Sequence, residues 1–213
     1  MRVFPIVRRV SLTLLAASVA PLGSACAQQP ARKLGGSEPI TYFIAEADPS
    51  SAARAGDREL ARWALEAWAA LASPNVEIRA GPEATATVRV YWAGPGAGLY
   101  GEMRARQVDG RPAADVFVHP DTDALGPDVA RVARADPLFR EAIVYLTCVH
   151  ELGHAFGLGH TDDFADIMYS FVYGGDIVAY FMRFRNQLRT RADIPQATPF
   201  SQGDTEAFRA LYR

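Results

Sequence analysis

Three of the chain's four histidines fall within eleven residues, in the string His-Glu-Leu-Gly-His-Ala-Phe-Gly-Leu-Gly-His from 150 to 160, and their spacing is that of a metal site. His150 and His154 are four apart, so on a helix they share one face and both imidazoles can reach one Zn²⁺ at ~2.0–2.1 Å. Glu151 follows directly and points beside the metal, where a carboxylate can take a proton from a water instead of filling the coordination sphere. Gly157 is placed to stop the helix, because glycine enters the left-handed conformation without steric cost. Three residues later the chain can return His160 as a third ligand. Three protein ligands leave one position open, as a catalytic zinc needs and a structural zinc does not. A bare His-Glu-x-x-His is a weak signal, since a surface helix with two histidines is ordinary. The added glycine and third histidine make it specific.

Such ligands need a rigid carrier. Asp136-Pro137 is a good helix start, with Asp as cap and Pro at the first helical position. The helix it opens runs through Ile143, Leu146 and Val149 to Phe156, with apolar surface to bury along its length. Upstream, Ile40 to Ala45 reads as a strand. From Gly56 to Ala72 the apolar positions Leu60, Trp63, Ala64, Ala67, Trp68 and Leu71 mark one face of a helix packed on a core. Asn75 to Arg79, Thr85 to Trp92, Met103 to Val108 and Asp115 to His119 have strand character, the last two joined at Asp109-Gly110, a hairpin signal. His119 closes the sheet and is not expected among the ligands. Beyond the motif, Asp176 to Arg191 and Ser201 to Tyr212 read as two helices. Arg183, Arg185, Arg189 and Arg191 are expected on a solvated face of the first of these.

The long pattern at 150 to 160 resembles the zinc signature of the metzincin metalloproteases. Asp166-Ile167-Met168-Tyr169 is similar to the Met-turn of that clan, whose methionine floors the zinc ligands. The eight-residue step from His160 to Met168, Tyr169 directly after it, and Phe200-Ser201-Gln202-Gly203-Asp204 with Ala210-Leu211-Tyr212 are most similar to the matrixin group. The resemblance covers roughly 39 to 213. It implies an α+β catalytic domain with a twisted, mostly parallel sheet, an antiparallel edge strand, a zinc helix and a Met-turn. Sheet and zinc helix would occupy 39 to 157 and a lower subdomain 158 to 213. It also implies His150, His154 and His160 as ligands of a single catalytic zinc, with Glu151 as general base and an extended peptide substrate along the edge strand near Gly101 to Arg106. The chain departs from the group at Ser170, where proline is expected, and in the long stretch from Phe171 to Pro199. That region walls the primed-side pocket in relatives.

The first residues place this chemistry. Arg2, Arg8 and Arg9 precede an apolar run from Val10 to Leu22 and the small residues Ala25-Cys26-Ala27, the layout of a signal peptide over 1 to 27. The run is short for a membrane span, and Ser11 after Arg8-Arg9 favours ordinary over twin-arginine export. A secreted or periplasmic protein is expected, with lipid anchoring through Cys26 as the alternative. Residues 28 to 38 read as a flexible lead-in. Removal of 1 to 27 moves the net charge from −2 to −5, which argues against nucleic acid as partner. Cys148, the one cysteine left, reads as a buried inert thiol, and a monomer is expected. Calcium is possible through Asp121, Asp123, Asp128, Asp162 and Asp163, though surface loops commonly carry such acids. The leading reading is a secreted zinc endopeptidase. The alternatives are a catalytically silent zinc-containing binding module and a narrow cell-wall peptide hydrolase.

Overall fold

The computed structural model describes residues 33–34, 38–72, 76–94 and 100–212; the expected signal peptide over 1 to 27, with Cys26, lies outside them. Five strands form one sheet in the order β2-β1-β3-β5-β4: β1 Ile40–Ile44, β2 Ile78–Ala80, β3 Val88–Trp92, β4 Gly101–Val108 and β5 Arg111–Val118. The pairs β1·β2, β1·β3 and β3·β5 are parallel, and β4 alone runs antiparallel, through the Asp109-Gly110 turn with both residues at positive φ. This is the mostly parallel sheet with one antiparallel edge strand that the sequence predicts. The parallel strands show why: Val88, Val90 and Trp92 face the core and alternate with half-exposed Arg89 and Tyr91. The second strand forms over Ile78–Ala80, a few residues later than its β-branched run suggests, and is the other edge.

Helices cover one face. α1 Asp57–Ala72 and α3 Pro137–Ala155 pack together. The Trp68 indole N–H donates to the Val149 carbonyl (2.9 Å), and its ring, fully buried, meets Phe156, Phe200 and Phe208. Both tryptophans of α1 are therefore structural, with Trp63 lying under the Arg191 guanidinium. The Asp136 carboxylate caps α3 by accepting from the Leu138 and Phe139 amides, as its Asp-Pro start predicts. A helix not anticipated, α2 Pro127–Ala135, precedes it; it is short, and its buried positions Val129, Ala130 and Ala133 are small or β-branched. Leu34, within the stretch read as a lead-in, is 1% exposed and belongs to the core.

The chain after the motif differs most from expectation. α4 spans only Ile177–Arg185, and a turn separates it from a 3₁₀ segment at Arg191–Gln196. Arg189 is exposed as expected, but the other three arginines do not form a free solvated face. Arg185 Nε donates to Asp136 Oδ2 (2.7 Å), tying α4 to the cap of α3, and Arg191 pairs with Glu59 and Glu141. Arg183 lies over the rings of Tyr180 and Phe164. Arg183, Arg185 and Arg191 are thus spent on packing, which periodicity alone cannot reveal. α5 Gln202–Leu211 closes the chain with a reciprocal cap between Ser201 and Asp204.

Candidate metal centre and active site

The last turns of α3 carry His150, Glu151 and His154. Gly157 then takes φ +106°, its amide donates to the His154 carbonyl and the Leu158 amide to the Gly153 carbonyl. These two bonds are a Schellman end, the left-handed stop the glycine predicts. They turn the chain so that His160 comes back over α3. His160 is fixed from the other side as well: the Thr161 amide donates to the Met168 carbonyl and the Ser170 amide to the Thr161 carbonyl, a short bridge to the turn at Asp166–Tyr169.

Among the described residues, His150, His154 and His160 are the one group of three or more potential metal-ligating side chains brought together, with ligand atoms within 4.8 Å of one another. The His150 Nδ1–H donates to the Ile167 carbonyl (2.6 Å) and the His154 Nδ1–H to the Leu158 carbonyl (2.9 Å). A carbonyl only accepts, so in each neutral ring the proton sits on Nδ1 and Nε2 carries a free lone pair. Those lone pairs converge. His160 Nε2 lies 3.3 Å from His150 Nε2 and 3.0 Å from His154 Nε2. Tetrahedral coordination at ~2.0–2.1 Å separates ligand nitrogens by ~3.3–3.4 Å, so the triad fits a zinc ion. Burial lowers the pKa of His150 to about 3, helped by His154, and of His154 to about 4; His160 is lowered in the same way. The rings are thus neutral at pH 7, the state a ligand requires.

Glu151 is 5% exposed, and its Oε2 has no hydrogen-bond partner. Burial pushes its carboxyl up to about 8, and the neighbouring Glu102 charge adds to the rise. The carboxyl abuts the start of β4. A Cβ built on Gly101 would lie 2.5 Å from Glu151 Oε1, so only glycine lets the edge strand approach this closely. Gly153 does the same on the other side of α3, where a Cβ would run into Met168 Sδ and come within 3.1 Å of the Trp68 ring. Met168, 1% exposed, therefore nests directly under the helix between the two histidines of α3.

The turn that presents the Ile167 carbonyl is held from below. Asp204 Oδ2 accepts from the Ile167 amide (2.7 Å) and Oδ1 from the Met168 amide (3.3 Å), while Ser201 Oγ bonds Asp166 Oδ1 (2.5 Å). Asp204 can be read from the sequence as a helix cap, but its second role needs the fold.

The chain matches the matrixin family model over residues 34–178. It belongs to the matrixin family. No curated protein matches it. The fold of this matrixin is the metzincin one that its zinc pattern predicts, and zinc is the metal its family uses. Family membership supports a zinc metallopeptidase and so a protein or peptide substrate. No helix among the described residues is long and apolar enough to cross a membrane.

The remaining candidates stay outside the centre. The His119 ring stacks on Tyr100 and takes the Asp121 amide on Nδ1 (3.3 Å). Cys148 is a free, buried thiol whose pKa burial raises far above its ordinary value. Of the acids named for calcium, Asp121 accepts from the Asp123 amide, Asp123 pairs with Arg134, and Asp163 accepts from the Ala165 amide.

Proposed function

We propose that this matrixin is an exported endopeptidase in which His150, His154 and His160 hold one zinc and Glu151 is the general base. The observation that carries the reading is the convergence of three Nε2 atoms, those of His150 and His154 left with free lone pairs by Nδ1–H donation to carbonyls, beside a buried, unpartnered carboxyl oxygen. A zinc held by the three histidines would supply a Lewis acid for the scissile carbonyl and for a water. Glu151 is placed beside it to accept a proton and return it to the leaving amine. Its raised pKa suits both steps, since a group poised near neutrality both accepts and returns a proton. The free edge of β4 offers main-chain donors and acceptors to an extended substrate, and Gly101 brings that edge against the base. One copy of the chain supplies every group involved, which supports action as a monomer. The signal-peptide pattern at 1 to 27 supports activity outside the cytoplasm, with anchoring through Cys26 as the alternative.

The test is metal removal. Incubated with a peptide library, the zinc-loaded protein is expected to cleave internal bonds, to stop when a chelator strips the metal, and to recover on zinc addition. Absence of chelator-sensitive cleavage would favour a binding module, and turnover of cell-wall peptides alone the narrow hydrolase.

Glu102 gives a pH test of the base. Its negative charge disfavours ionised Glu151, so Glu102→Gln lowers the Glu151 pKa and leaves more of the base form at low pH. The acid limb of the kcat/KM profile is expected to move to lower pH. An unmoved or upward-shifted limb would contradict the assignment of Glu151.

A further inference from the structure

The segment from Phe171 to Pro199, most of it beyond the stretch that the family model matches, reaches the turn beneath His150. Tyr180, on α4, lies two residues beyond the stretch matched by the family model and is 4% exposed. Its single hydroxyl proton is shared between the carbonyls of Asp166 (3.0 Å) and Ile167 (3.2 Å) in a three-centre bond. The Ile167 carbonyl is the one that accepts the His150 Nδ1–H. A carbonyl oxygen has two lone pairs, so it serves both donors at once. We propose that Tyr180 is a positioning residue for the zinc ligand His150: by pinning the Ile167 carbonyl it fixes the tautomer and direction of the imidazole.

Three features make the pin rigid. Rings of Phe164, Phe171 and Phe181 surround the phenol at centroid distances of 5.2–5.5 Å. The Arg183 guanidinium lies 4.5 Å over it, and its Nε donates to the Tyr180 carbonyl. α4 is itself braced along the zinc helix, with Phe184 stacked on Tyr145 and Arg185 bonded to the Asp136 cap. The helix thus spans α3 from its cap to the turn beneath His150. Asp204 holds the same turn by its amides and Tyr180 by its carbonyls, so the two anchors are complementary. Burial raises the phenol pKa well above 10, which keeps the donated proton in place at any working pH.

The inference rests on the triad as a zinc site, and its test does not use peptide cleavage. Tyr180→Phe keeps the ring and removes only the donor. In competition with a chromophoric chelator at pH 7, it is expected to raise the zinc dissociation constant ~10–100-fold, the usual effect of losing a partner behind a ligand. The zinc-free melting temperature should fall by only ~2–4 °C. Tyr91→Phe is the control: it deletes a tyrosine hydroxyl on β3, one bonded to Glu83 and apart from the histidines and the turn beneath them, and should leave zinc affinity unchanged. An affinity in Tyr180→Phe within twofold of the parent would overturn the proposal, as would an equal loss in both variants. So would failure of Tyr180→Phe to fold, which would make the hydroxyl a requirement of the fold. A parent chain that binds no zinc would overturn the metal reading itself, and the same titration shows it.

Discussion

Glu151→Gln is expected to lower kcat/KM for peptide cleavage by ~10²–10⁴-fold while the protein still binds one zinc. The amide fills nearly the same volume against Gly101, so the edge strand keeps its place and the three imidazoles keep theirs. What is lost is the acceptor. An amide cannot take a proton near neutral pH, and the buried position leaves little room for solvent to substitute. Two measurements decide it: chelator-sensitive turnover and metal content per chain. Retained zinc with lost turnover is the expected pair. Full residual turnover would remove Glu151 from the mechanism, and loss of zinc would mean that the carboxylate supports the metal instead of the reaction. Glu151→Ala should give the same result with more local relaxation around Gly101.

Asp57→Ala is expected to cost ~3–5 kcal/mol of stability, because it strands the Arg140 guanidinium in the interior. The two side chains are 2% and 4% exposed and form a bidentate pair, with Arg140 Nη2 2.7 Å from Asp57 Oδ2. The pair joins the first turn of α1 to the first part of α3. Arg140 also donates to the Pro120 carbonyl (3.3 Å), and Asp57 Oδ2 accepts the Arg54 amide (2.8 Å). Removing the carboxylate leaves a buried charge with only the Pro120 carbonyl to meet it, whereas replacing both by apolar residues of similar size removes the desolvation cost as well. Asp57→Leu combined with Arg140→Met should therefore recover most of the loss. Equilibrium urea unfolding measures both. A loss below ~1 kcal/mol in Asp57→Ala would show that water reaches the guanidinium. Against a typical ~5–15 kcal/mol for a domain, the expected loss is a large fraction, and expression of the single variant should fall with it.

The metal site was legible because its pieces are local. His150 and His154 are related by one helical turn, Gly157 by a backbone conformation that glycine alone adopts freely, and His160 by three residues of chain. The strands and the β4–β5 hairpin were legible for a related reason, since β-branched runs and the Asp109-Gly110 turn are strong short-range signals, whereas the parallel pairing was implied by the family resemblance. The arginines of 183 to 191 misled because a helical period reports which residues share a face, not what covers it. Asp136, Glu141 and Glu59 are the partners of Arg185 and Arg191, and they come from α3 and α1.

Gly101, Gly153, Asp204 and Tyr180 show where sequence reading stops. Gly101 and Gly153 look like ordinary residues of a strand and a helix until Glu151 and Met168 are seen pressed against them. Asp57 and Arg140 are 83 residues apart, and no periodicity relates them. Tyr180 reaches the Ile167 carbonyl only because α4 folds back along α3. The sequence by itself determined which three histidines come together, the metal they suit and the carboxyl beside them, since helical spacing and glycine conformation are short-range geometry. The tertiary structure alone decided what orients the ligands, how closely the edge strand approaches Glu151 and where the buried charges pair. Those depend on the packing of segments far apart in the chain, where a shift of one ångström separates a hydrogen bond from none.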